Sequence, residues 1–128
     1  MINAIKKYIA KKNEIKQDAQ VVWSESLRMS IIEGQLYDDV IGESEYNVIS
    51  EEVAKMQDCI RQKFEGMVPS YRAKVMAEVR KCADKTPIEN YDARNTMYHS
   101  SDYNNARTFI ENTYADAVER DGMVMHKM

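Results

Sequence analysis

Only six residues of this 128-residue chain are glycine or proline, and their spacing leaves room for little except helices. Gly34, Gly42, Gly66 and Gly122, with Pro69 and Pro87, fall where helices would stop or start. No stretch alternates apolar and polar residues between hairpin turns, as a strand would require. The expectation is an all-α fold. In detail it is a single-domain antiparallel helical bundle spanning 1–128, with four main helices, one short helix and a long basic N-terminal helix.

The apolar spacing sets the individual elements. Ile5, Tyr8, Ile9, Ile15, Ala19, Val22, Trp23 and Leu27 recur at three, four and seven residues, which predicts one helix to about Glu33 with Gly34 as its stop. Such a helix is roughly 45–50 Å long, against a diameter of about 35 Å for a compact chain of this size. Its lysine-rich end is therefore expected to project. Residues 34–50 read as an acidic connection, mostly loop. Ser50, followed by Glu51 and Glu52, is the expected cap of a second helix to about Glu65, with Val53, Met56, Ile60, Phe64 and Met67 inward. A turn over Gly66–Pro69 leads to a third helix, Ser70 to about Asp84, burying Tyr71, Val75, Val79 and Cys82. Thr86, Pro87 and Glu89 form a start signal for the short helix to about Met97. Ser101 is the expected cap of the last helix, Asp102–Asp121, which turns Tyr103, Ala106, Ile110, Tyr114 and Ala117 inward. Gly122 should end it and leave a frayed tail, 122–128.

Charge is distributed unevenly. The chain carries a net charge of -3, but residues 1–16 hold five lysines and one acid, and residues 17–128 hold 13 bases and 20 acids. Between Glu33 and Glu52 lie seven acids and no lysine or arginine. A basic head thus precedes an acidic belt. Lys6, Lys7, Lys11, Lys12 and Lys16 sit near a helix N-terminus, where positive charge is unfavourable by about 0.3–1 kcal/mol per exposed residue. They are the first candidate contact, set against a solvated, fraying end. The head lacks arginine, and Tyr8 alone could stack on a base, so a protein partner is favoured over nucleic acid. Lys74, Lys81 and Lys85 share one side of the third helix and read as solvated.

The acidic belt supplies the second candidate set: Tyr37, Asp38, Asp39, Glu43, Glu45 and Tyr46. It would dock a basic partner, neutralise the basic head of a second copy, or be a plain polar loop. The acids lack calcium-loop spacing, and His99 and His126 lack zinc spacing, so no metal and no cofactor are expected. No nucleophile elbow or phosphate loop occurs, and no catalytic residues are assigned. Cys59 and Cys82 read as reduced, semi-buried thiols, and no apolar run approaches a membrane span. These features suggest a cytoplasmic, non-enzymatic protein that acts stoichiometrically on a macromolecular partner, a protein or a protein–nucleic-acid complex rather than a membrane. An inhibitor made by a phage or mobile element that occludes a host nucleic-acid-processing or defence complex has this economy. The alternatives are a nucleic-acid-binding accessory protein using the same lysines, or a self-assembling helical protein, of which a homodimer is the simplest form.

Overall fold

The computed structural model describes residues 2–38, 41–86 and 100–127, excluding the side chains of 37, 38, 100 and 123–127. Among the described residues the fold is all-α, with no strand: α1 (Ile2–Asp38), α2 (Glu43–Glu65), α3 (Pro69–Lys85) and α4 (Ser100–Lys127). α1 is the organising element, because α2, α3 and α4 each pack mainly on it. Its inward residues are Ala19, Val22, Trp23, Ser26, Met29 and Ser30, all buried. Opposite them lie Val53, Ile60 and Phe64 of α2, Val75, Met76, Val79 and Ala83 of α3, and Tyr103, Ala106 and Ile110 of α4. The Ser26 and Ser30 hydroxyls are buried without a hydrogen-bond partner among the described residues.

Trp23 ties three helices together. Its indole N–H donates to Thr86 Oγ1 at 2.9 Å, and its ring meets Tyr103 edge to face at 5.5 Å. The Tyr103 hydroxyl in turn donates to the Ala83 carbonyl at 3.0 Å. Thr86 itself closes α3, donating through Oγ1 to the Cys82 carbonyl at 2.8 Å. Arg72 is a second anchor, only 3% exposed. It donates to the Phe64 and Met67 carbonyls at 2.7 and 2.8 Å and pairs with Asp121, so one guanidinium closes the end of α2 and holds α4. The turn between α2 and α3 is tight: a Cβ on Gly66 would lie 3.2 Å from the Gln62 carbonyl oxygen. Ion pairs Arg72–Asp121, Arg80–Glu111 and Asp84–Arg107 descend α4 as they climb α3, so these two helices run in opposite directions.

Several sequence expectations are corrected. Gly34 does not stop α1, which continues to Asp38. A glycine inside a helix costs only about 1 kcal/mol, and no glycine here has a positive φ. The 34–50 connection is not a loop: α1 extends into it, and α2 begins at Glu43 with Gly42 as its cap. Glu43 and Glu45 supply the first-turn negative charge that was expected of Glu51 and Glu52. Ser50 therefore lies inside α2 rather than at its start. α3 begins at Pro69, at the position where its missing N–H is harmless, and ends at Lys85. α4 starts at Ser100, so Ser101 is not its cap, and the helix passes through Gly122 to Lys127. Nothing lies within 4 Å of a Cβ built on Gly122, so a side chain at that position would meet no obstacle. Cys59 is exposed, and Cys82 is half-buried. The short helix expected up to Met97 falls outside the described residues.

The N-terminal end of α1 projects, as its length against the diameter of the domain implied. Ile5, Tyr8 and Ile9 continue the apolar spacing of α1 but are exposed, because α2, α3 and α4 cover α1 only from about Ile15 onward.

Candidate interaction surfaces

α1 has 37 residues and is therefore about 55 Å long. Every residue from Ile2 to Glu14 is exposed. This N-terminal arm is helical from Ile2 although its first turn contains no acid. Ile2, Ile5, Tyr8 and Ile9 are 51% to 71% exposed, an apolar stripe without cover. At 3.6 residues per turn, Lys12 and Lys16 fall within that stripe, Lys6 on one flank, Lys11 on the other, and Lys7 on the opposite side of the helix. The five lysines thus surround the arm instead of forming one face. None of them makes an ion pair among the described residues.

Where the arm leaves the body it forms a crevice with α3. One part, about 330 Å³, is lined by Tyr8, Lys11, Lys12 and Ile15 of α1 and by Lys74, Ala77 and Glu78 of α3. A second part, about 410 Å³, shares Lys11 and Lys74 and extends over Glu14, Met67, Val68 and Tyr71. Lys74 also makes no ion pair, whereas Lys81 pairs with Glu78 at 3.2 Å. The lysines of α3 therefore do not act as one flank: Lys74 joins the basic head, and Lys81 is held on its own helix. At the crevice floor the Tyr71 hydroxyl donates to Asp18. Burial, then that hydrogen bond and the charges of Asp18 and Glu14, push the phenol well above its usual range. Tyr71 is consequently a neutral donor that fixes the root of the arm.

The acidic candidates lie at the other end. Glu43, Glu45 and Tyr46 open α2, all exposed, and Val48 beside them is 64% exposed. The side chains of Tyr37 and Asp38 and all of Asp39 fall outside the described residues. From the middle of the arm to the end of α1 is about 40 Å along the helix axis. The structure therefore separates the two candidate sets, and no single small ligand spans both.

The remaining polar clusters join helices to one another. Arg80 grips Glu111 through Nε at 2.8 Å and Nη2 at 3.1 Å, and that hydrogen bonding holds the Glu111 carboxyl below its ordinary range. Arg80 also lies over the Tyr114 ring, 5.7 Å from its centroid. Arg107 donates to the Tyr103 hydroxyl at 2.8 Å and pairs with Asp84 at 3.0 Å. Burial raises the pKa of the Cys82 thiol, so it is less of a thiolate than a free cysteine. Among the described residues no three His, Cys, Asp or Glu side chains are grouped to hold a metal ion. No described helix is long and apolar enough to cross a membrane.

No family model, curated protein or solved structure matches the chain. Val48 was not anticipated as a surface residue, whereas the arm isoleucines lie on the end of α1 that was expected to project. The signal for the isoleucines was the length of the helix against the diameter of the domain.

Proposed function

We propose that the protein is a non-enzymatic binding protein that acts stoichiometrically on a macromolecular partner through the basic arm of α1. The observation that carries this reading is the exposure of Ile2, Ile5, Tyr8 and Ile9 on a helix whose five lysines have no acidic partner among the described residues. Burying three isoleucines and a tyrosine on a partner would contribute several kcal/mol, on the order of 1.5–3 kcal/mol for a fully buried large side chain. The lysines would supply steering and register. A protein surface that is acidic around an apolar patch has the matching chemistry. An antiparallel helical bundle is the body that this reading requires, rigid enough to hold the arm out from its root at Tyr71 and Asp18. Occlusion of a charged surface on a nucleic-acid-processing or defence complex would make such a binder an inhibitor.

The test compares wild type with the variant Lys6→Glu, Lys7→Glu, Lys11→Glu, Lys12→Glu as bait in native lysate treated with nuclease. The variant should lose its partner while Tm stays the same. Undiminished capture by the variant would remove the lysines from the account. Capture that vanishes with nuclease, or falls log-linearly with salt, would favour a nucleic-acid ligand instead.

A further inference from the structure

Most of the unpaired charges among the described residues are segregated by sign and by place. Among the described residues, Lys6, Lys7, Lys11, Lys12, Lys16 and Lys74 make no ion pair and cluster at the arm and its root. Glu33, Glu43, Glu45 and Glu52 make none and lie around the α1–α2 junction. Glu14, Arg28, Lys85, Asp116 and Glu119 are also unpaired, on α1, α3 and α4. Most other described charges are matched between or within helices, such as Lys63 with Glu25 at 3.2 Å and Arg61 with Asp58 at 3.2 Å.

Each pole also carries uncovered apolar side chains. At the basic pole these are Ile2, Ile5, Tyr8 and Ile9. At the acidic pole they are Tyr46, 47% exposed, and Val48, 64% exposed. The acidic pole thus has the chemistry that the arm lacks a partner for: Glu45 and Glu52 share one side of α2 with the branched aliphatic Val48, and Tyr46 stands on the other.

The two poles cannot meet within one chain. Both are attached to α1, which runs unbroken from Ile2 to Asp38 and keeps them about 40 Å apart. Arm-to-arm pairing would set lysines against lysines. We infer that a second copy of this chain covers the arm: the arm of one copy seats on the start of α2 of the other. Its apolar stripe lies on Val48, and Lys12 within the stripe and Lys6 and Lys11 on its flanks face Glu45 and Glu52, which share the Val48 side of α2. Because the basic pole is on α1 and the acidic pole on α2, which packs along α1, a two-fold axis repeats the contact and closes the pair. The second contact then forms intramolecularly, at high effective concentration. Gln17, Gln20 and Ser24, exposed on α1 between the poles, are uncharged, and Arg28 is the one exposed charge between Gln17 and Glu33. This goes beyond the binding of an outside partner, which would compete for the same arm.

Sedimentation equilibrium of the purified full chain tests it. At low ionic strength the mass should be that of two chains of 14.9 kDa each, returning to one chain as salt shortens the screening length to a few ångströms. The head variant Lys6→Glu, Lys7→Glu, Lys11→Glu, Lys12→Glu and the end variant Glu43→Lys, Glu45→Lys, Glu52→Lys should each self-associate at least about tenfold more weakly. Mixed in equal amounts they should regain the two-chain mass, since each reversed pole then meets its opposite. If lysines at the start of α2 unfold the end variant, Tyr46→Ser with Val48→Ser, both at exposed positions, should weaken association by about tenfold at unchanged helicity. A wild-type chain that is monomeric at low salt, or folded variants that fail to restore one another, would overturn the inference. Neither outcome touches the outside partner, whose test is capture and not mass.

Discussion

Residues 2–14 and 19–30 belong to one helix, carry apolar side chains at the same intervals, and have opposite fates. In the second segment Val22 and Trp23 are buried under three other helices; in the first, Ile2, Ile5 and Ile9 meet solvent. Periodicity makes both segments helical and amphipathic. Burial requires something else, namely enough neighbouring chain to cover the stripe. α2, α3 and α4 reach α1 from about Ile15 onward, and the helix runs on without them. An apolar stripe is therefore an offer of contact, and the length of the rest of the chain decides whether it is accepted internally.

This contrast can be broken at the core first. Trp23→Ala removes a ring buried among three helices together with its hydrogen bond to Thr86. It should cost about 3–5 kcal/mol, lowering Tm by roughly 10–20 °C in thermal unfolding followed by circular dichroism. A loss no greater than that for an arm residue would mean that the two segments do not differ in kind. Arg72→Ala leaves two carbonyls and Asp121 without their donor, and about 2–4 kcal/mol should be lost in urea titration. Ser26→Ala works in the other direction: deleting a buried hydroxyl that lacks a partner should raise stability by about 1 kcal/mol.

Smaller effects sharpen the same comparison. The folded-state pKa of Glu111 is depressed, so its pairing with Arg80 stabilises the fold above the ordinary carboxylate pKa, and that contribution is lost as pH falls through the depressed value. Glu111→Gln should flatten this acid-side loss by less than about 1 kcal/mol, since both partners are well exposed. The smallest effect belongs to the arm. Ile5→Ser with Ile9→Ser should shift stability by no more than about 0.5 kcal/mol while abolishing whatever contact the arm makes. A large drop in Tm would show that the arm is covered within its own chain.

The helical class, and the inward assignment of Ala19, Val22, Trp23, Val53, Ile60, Phe64, Val75, Val79, Ala106 and Ile110, were legible in the sequence because spacing reports helix faces directly. Boundaries were less legible. Gly34 and Gly122 read as stops, yet a single glycine costs less than the packing and hydrogen bonding on either side of it contribute, and both helices pass through. The acidic belt read as loop because its acids masked a helical start; Glu43 and Glu45 are themselves the favourable first-turn charges. Arg72 gave no sign of being buried, since its partners are backbone carbonyls and an aspartate 49 residues away.

The amino-acid order by itself determined that the chain would be helical, that its charge would be polarised, and which residues could form a core. Local periodicity and composition carry that information without reference to any neighbour. Tertiary structure alone decided that α2, α3 and α4 cover α1 only from about Ile15 onward, that Lys74 joins the basic head, and that Arg72 closes the end of α2 while holding Asp121. Each of these depends on how far separate helices reach when they pack, a distance that no local window of sequence contains.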